Sequence, residues 1–132
     1  MVTVHKTDRC VRRGFTLIEL LVVMAIVAML ATLALPRYFH GVDVAKETIL
    51  IQNLRLTRET IDKFYSDNAR YPASLEELVE KKYLKALPVD PLTNSSASWV
   101  ITRPEDPAQG GVYDLHSGAP GARQDGTPFS QL

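Results

Sequence analysis

Glu19 stands where a carboxylate is least comfortable, between Ile18 and Leu20 in a run from Phe15 to Leu35 whose other polar members are Thr16 and Thr32. A charged acid inside an apolar membrane helix costs about 3 kcal/mol near the helix centre. Four residues from Phe15, Glu19 lies one turn in, close enough to an interface to reach water before any assembly. A cation at the same depth would offset the remaining cost. Cutting the chain after Gly14 would create one, the α-ammonium of Phe15, and the Glu19 of a neighbouring copy could neutralise it. Such pairing fixes the axial stagger between helices, the register role best attested for buried polar groups. The bland alternative is a chance interfacial acid on a plain anchor, which would have no use for it.

Other residue combinations carry less. Asp114, His116 and Ser117 assemble on paper into a hydrolytic triad, but neighbours on one strand face alternately opposite ways. His5, His40 and His116 are too scattered for a zinc site, and no HExxH, CxxC, GxSxG or P-loop occurs. Asn94-Ser95-Ser96 matches a glycosylation sequon, a pattern short enough to arise by chance. Cys10 is the sole cysteine, which excludes an intramolecular disulfide.

The element that would position Glu19 is a helix over the apolar run, roughly 31 Å long at about 1.5 Å per residue and so able to cross a bilayer's hydrocarbon core. An ordinary secretory signal has a shorter apolar region and a small-residue cleavage site on its far side. Here the far side reads Leu35-Pro36-Arg37-Tyr38, so the helix is expected to stay in the mature protein. The formal net charge of zero hides an asymmetry: residues 1–14 hold Lys6, Arg9, Arg12 and Arg13 against Asp8, an excess of three. A basic segment before an apolar helix stays cytoplasmic, which points the remainder outward. Beyond residue 36 the basic residues interleave with acids, so no nucleic-acid footprint is expected. Ala25, Ala28, Ala31 and Ala34 turn about 60° per step, which suits several close neighbours rather than one dimer face, although alanine is also simply common in such helices. Pro36 lacks an N–H and is expected to kink or interrupt the helix.

About 95 residues then remain, enough for one small domain. Leu50, Leu54, Thr57, Ile61 and Phe64 or Tyr65 recur at alternating steps of three and four, a stripe that continues the first helix to Ser66–Asn68. Glu47, Arg55, Arg58, Glu59, Asp62 and Lys63 are assigned to the other positions. Ser74 and Glu77 form a capping box that opens a short helix to about Lys82. Leu87-Pro88-Val89-Asp90-Pro91 is a loop. Ser98–Thr102 and Gly111–Leu115 are expected to pair as an antiparallel hairpin, with Trp99 in the core. The expected fold is α+β, with a long N-terminal helix, membrane half plus amphipathic half, packed on a short helix and a small antiparallel sheet, and a loop-rich C-terminus.

Arg13-Gly14-Phe15-Thr16-Leu17-Ile18-Glu19-Leu20-Leu21-Val22-Val23 resembles the leader junction of type IV pilins and type II secretion pseudopilins. Tyr71-Pro72, Leu87-Pro88-Val89-Asp90-Pro91 and Tyr113-Asp114-Leu115-His116-Ser117 look like landmarks of the type II secretion major pseudopilins, and the absence of a C-terminal cysteine pair agrees, since many type IV pilins close their variable loop with a disulfide. The resemblance implies cleavage between Gly14 and Phe15 by a prepilin peptidase, N-methylation of Phe15, and Glu19 as the assembly acid. It implies residues 1–14 as leader, 15–36 as transmembrane and filament-core helix, and 37–132 as a periplasmic pilin-like domain. In related filaments the stretch before the equivalent proline, here Ala28–Pro36, can lose helical order. The implied role is a structural, non-enzymatic subunit of a pseudopilus at the bacterial inner membrane, working with an assembly platform and minor pseudopilins. A minor pseudopilin and a type IV or competence pilin are alternatives within the class, and a single-span anchored binding module is the alternative outside it. The subfamily carries calcium in its C-terminal loop; the matching donors here are Asp114, Ser117, Asp125 and the carbonyl of Leu115. The competing expectation is a loop held by hydrogen bonds and by docking of Val112 and Phe129.

Overall fold

The computed structural model describes residues 1–3 and 13–132. His5, Lys6, Asp8, Arg9, Cys10 and Arg12 lie outside the described residues. Two α-helices and two strands follow in order, α1 (Leu17–Asn68), α2 (Leu75–Glu80), β1 (Trp99–Thr102) and β2 (Asp114–Ser117), with short 3-10 turns at Pro107–Gln109 and Phe129–Gln131. This is the expected pilin-like α+β order. The chain comprises two compact units, Met1–Phe39 and His40–Leu132.

In the first unit the large apolar side chains stand in the open. Phe15 is 85% exposed and Leu17 79%, and Leu20, Leu21, Met24, Val27, Leu30 and Leu33 are likewise uncovered. A helix apolar on every side has no soluble solution, because each such side chain forgoes about 1.5–3 kcal/mol of burial. The segment is α-helical through Pro36 in the single chain, so the interruption expected of the proline is not a feature of this structure. Proline removes one hydrogen bond, the one to the Thr32 carbonyl, and formed turns on both sides need no new nucleus to continue. Just before it, the Thr32 hydroxyl donates to the Ala28 carbonyl at 2.8 Å, a back-bond of the kind that bends helices.

In the second unit, Leu50, Leu54, Thr57, Ile61 and Phe64 of α1 are buried, as their spacing predicts, and Phe64 rather than Tyr65 completes the stripe. Leu75 and Leu78 of α2, Trp99, Val112, Leu115 and Phe129 close over them as one core. Tyr65 lies outside it, its ring 4.5 Å from that of Tyr71, which in turn meets Tyr113 edge-on at 5.3 Å. Glu47 departs from expectation. It occupies the stripe one step before Leu50 and is buried, with Arg123 Nε 3.6 Å from its carboxylate.

The short helix begins at the expected N-cap, but the box is not closed as expected. Ser74 makes no side-chain cap bond, and α2 stops at Glu80. The Glu77 carboxylate instead accepts from the Ala73 N–H at 2.6 Å and from both terminal nitrogens of Arg70, at 2.6 and 3.1 Å. A bidentate guanidinium, with the Ala73 N–H, orients this acid away from the Ser74 backbone N–H that a closed box would use. Arg70 first, then Ala73, holds the Glu77 carboxyl down at about 2, so it stays ionised under all ordinary conditions.

The hairpin is antiparallel, with Trp99 opposite Ser117 and Thr102 opposite Asp114. The second strand runs Asp114–Ser117, shifted from the expected Gly111–Leu115. Gly111 and Val112 spend their N–H groups on the Pro72 carbonyl, at 3.0 and 2.9 Å, and are therefore not free to pair with β1. Gly110, at φ +130°, makes this approach feasible, since a Cβ there would collide with the Tyr71 backbone. Trp99 is buried as expected, its indole N–H donating to the Pro88 carbonyl at 2.8 Å.

Candidate functional site

The junction at the start of α1 is built by the chain's own capping chemistry. Thr16 directly precedes the first helical residue, Leu17, and Glu19 is the third residue of the helix. The Glu19 N–H donates to Thr16 Oγ1 at 3.3 Å, and the Thr16 N–H donates to Glu19 Oε2 at 3.4 Å. This is a reciprocal box, the Thr-x-x-Glu pattern, and it accounts for both polar side chains at the start of the apolar run. The sequence reading missed it because the assembly role of Glu19 left no reason to look for a local one. The same carboxylate therefore already has a partner within its own chain.

Gly14 and Phe15 are both exposed. A Cβ on Gly14 would meet no atom within 4 Å, and its backbone is not in the left-handed region that favours glycine. The folded chain has no need of glycine here, so any requirement for it lies with a molecule that handles the junction from outside.

The second cluster joins the C-terminal segment to α1. Arg58 Nε donates to Asp114 Oδ1 at 2.7 Å, while its Nη2 donates to the Leu115 carbonyl at 3.0 Å and to the Leu132 oxygen at 2.7 Å. His116 Nδ1 lies 2.8 Å from the same Leu132 oxygen. Arg123 Nη1 sits 3.1 Å from Asp125 Oδ2. Asp125 also accepts from the Thr127 N–H, and this bond first, with Arg123 adding to it, lowers its carboxyl below the usual range. Ser117 points elsewhere. It is almost wholly buried, and its hydroxyl donates to Asp90 Oδ2 at 2.5 Å while accepting the Ala119 N–H. Asp90, fully buried, takes the Leu92 N–H on its other oxygen at 2.8 Å. Reading residues 87–91 only as a proline-rich loop missed this acid, whose partner is 27 residues away.

These residues do not fit a calcium ion. Calcium takes six to eight oxygens, several from carboxylates. Of the four expected donors, Asp114 and Leu115 share Arg58, Asp125 faces Arg123, and Ser117 is committed to Asp90. Among the described residues no group of three or more His, Cys, Asp or Glu could hold a metal ion. Nor do Asp114, His116 and Ser117 act together as a triad, since the serine is turned to Asp90.

An exposed helix long and apolar enough to cross a membrane, started by this junction and continued into a small α+β domain, fits a pilin-like chain with a single membrane anchor. Residues 9–35 match the prokaryotic N-terminal methylation motif. The chain is 32% identical over 130 residues to the type II secretion system core protein G of Escherichia coli (strain K12), covering 86% of this chain and 84% of that protein. It is 34% identical over 120 residues to core protein G of Pseudomonas aeruginosa, covering 79% and 80%, and 30% identical over 135 residues to that of Klebsiella pneumoniae, covering 90% and 89%. No solved structure matches the chain significantly. The chain belongs to the family of type II secretion system core protein G, the major pseudopilins.

Proposed function

We propose that this chain is made as a precursor, cut after Gly14 by a prepilin peptidase, methylated at Phe15, and polymerised at the inner membrane into a type II secretion pseudopilus. Residues 1–14 are the leader, 15–36 the transmembrane and filament-core helix, and 37–132 the periplasmic domain. The subunit performs no chemistry; its work is mechanical, as one unit of a filament extended through an inner-membrane assembly platform and begun by minor pseudopilins. The observation that carries this reading is the pairing of an uncovered apolar helix with a single carboxylate one turn from Phe15. Lipid covers such a helix before assembly and other copies cover it afterwards, while the basic leader keeps the N-terminus cytoplasmic until it is removed. The alanines at 25, 28, 31 and 34 let those copies approach closely. A bend at Pro36 would adapt the helix to the filament, and the Thr32 back-bond to the Ala28 carbonyl would favour it there.

The indifference of the fold to Gly14 makes a clean test. Gly14→Leu is expected to leave helix, domain and membrane insertion intact while the precursor accumulates uncut, visible as loss of the faster-migrating mature band. A mature band of normal intensity would remove Gly14 from the cleavage role.

A further inference from the structure

The C-terminal segment from Asp114 to Leu132 contains only two carboxylates, Asp114 and Asp125. Each already faces a guanidinium, one from α1 and one from the segment itself. Arg58 is the more consequential. From one position on α1 it gathers a carboxylate oxygen of Asp114, the carbonyl of Leu115 and the main-chain oxygen of Leu132. Those three oxygens come from the start of β2 and from the far end of the segment, so a single cation cross-links both to the long helix. Arg123 works in the other direction. Lying within the segment, it acts by charge rather than by hydrogen bonding: its Nε, buried and without a hydrogen-bond partner among the described residues, lies 3.6 Å from the buried Glu47 of α1, and its Nη1 lies 3.1 Å from Asp125.

Drawing dispersed oxygens together around positive charge is what a loop-bound divalent ion does. A guanidinium does the same with a permanent charge and no requirement for six to eight ligands, and Arg58 adds directed N–H donors. It also repels a divalent ion from the oxygens it holds. We infer that Arg58 and Arg123 take the structural place of a divalent cation in this chain, so that its C-terminal segment docks on α1 independently of calcium. The inference concerns the folded domain and stands whether or not the subunit polymerises.

Trp99, the only tryptophan, is buried in the core beside this segment and reports its loss by fluorescence. The full chain in detergent is melted in millimolar calcium chloride and in excess chelator, as wild type and as Arg58→Gln, Arg58→Lys and Arg123→Gln. The wild-type midpoint is expected to be the same in both solutions, and calorimetric titration with calcium chloride alone is expected to give no binding heat. Arg58→Gln should lower the midpoint by about 5 °C or more, with calcium giving no recovery. Arg58→Lys should recover only part of the loss, because an ammonium cannot span three oxygens in the same fork. A wild-type midpoint that falls in chelator or rises with calcium overturns the inference. So does an Arg58→Gln chain that melts like wild type. Should Arg58→Gln fail to fold, the wild-type comparison and Arg123→Gln, which is expected to melt below wild type in both solutions, still decide.

Discussion

Replacing Glu19 by alanine is expected to abolish pseudopili while leaving the protein in the membrane. In the proposed filament each Phe15 ammonium would be withdrawn from water among apolar helices, with the Glu19 carboxylate of a neighbour as its counter-charge. Removing one member of a buried pair typically costs 3–5 kcal/mol, because the other charge remains without a partner. That loss recurs at every subunit addition, and at about 1.4 kcal/mol per tenfold it lowers each association constant roughly 100- to 1,000-fold or more. Filaments are not expected to survive such a change. Insertion is, because it depends on the apolar run, and alanine there is less costly than an acid. The local box between Thr16 and Glu19 is lost as well, but a helix cap is worth about 1 kcal/mol and its loss cannot unmake a membrane helix. Sheared surface fractions viewed by electron microscopy, alongside alkaline extraction of membranes, separate the two effects. Wild-type filament numbers in Glu19→Ala would remove the register argument.

Asp90→Ala is expected to destabilise the soluble domain by about 3 kcal/mol. The carboxylate is fully buried and holds the Leu92 N–H and the Ser117 hydroxyl, tying the 87–95 loop to the end of β2. Truncation strands both donors away from water, at about 1–3 kcal/mol each, and opens a small void besides. Asp90→Asn should cost less, since its carbonyl oxygen still accepts one of the two bonds. Urea unfolding of the full chain in detergent, followed by Trp99 fluorescence, measures both. An Asp90→Ala midpoint equal to wild type would mean that the loop is held without this carboxylate, by its prolines, the indole bond to Pro88, the Asn53 bond to the Val89 carbonyl and the Asp90–Ser95 backbone bond.

What could be read in advance, and what could not, divides by the range of the interaction. The α1 stripe was legible because Leu50, Leu54, Ile61 and Phe64 obey a local period that any packed helix must show. The start of α1 was legible as a junction but not as a capping box, although Thr16 and Glu19 stand at the right spacing. Glu47 was misassigned because polarity was taken to mean exposure, when its cation, Arg123, lies 76 residues on. The shift of β2 has the same origin: Gly111 and Val112 look like strand residues until Pro72 claims their N–H groups. Arg58 read as one more solvated helix charge, and nothing near it in the chain announces Asp114 or Leu132. Long-range polar partners leave no periodic trace, so the buried acid at position 90 and the arginine at 58 became visible only in three dimensions.

Everything proposed for assembly rests on the charge created at Phe15. The most direct test is the mass of the N-terminal peptide from protein purified from the membranes of a host with an active prepilin peptidase. The account predicts a chain that begins at Phe15 and carries one methyl group on its α-nitrogen. A mature protein that retains Met1, or one that begins beyond Leu35, would contradict it.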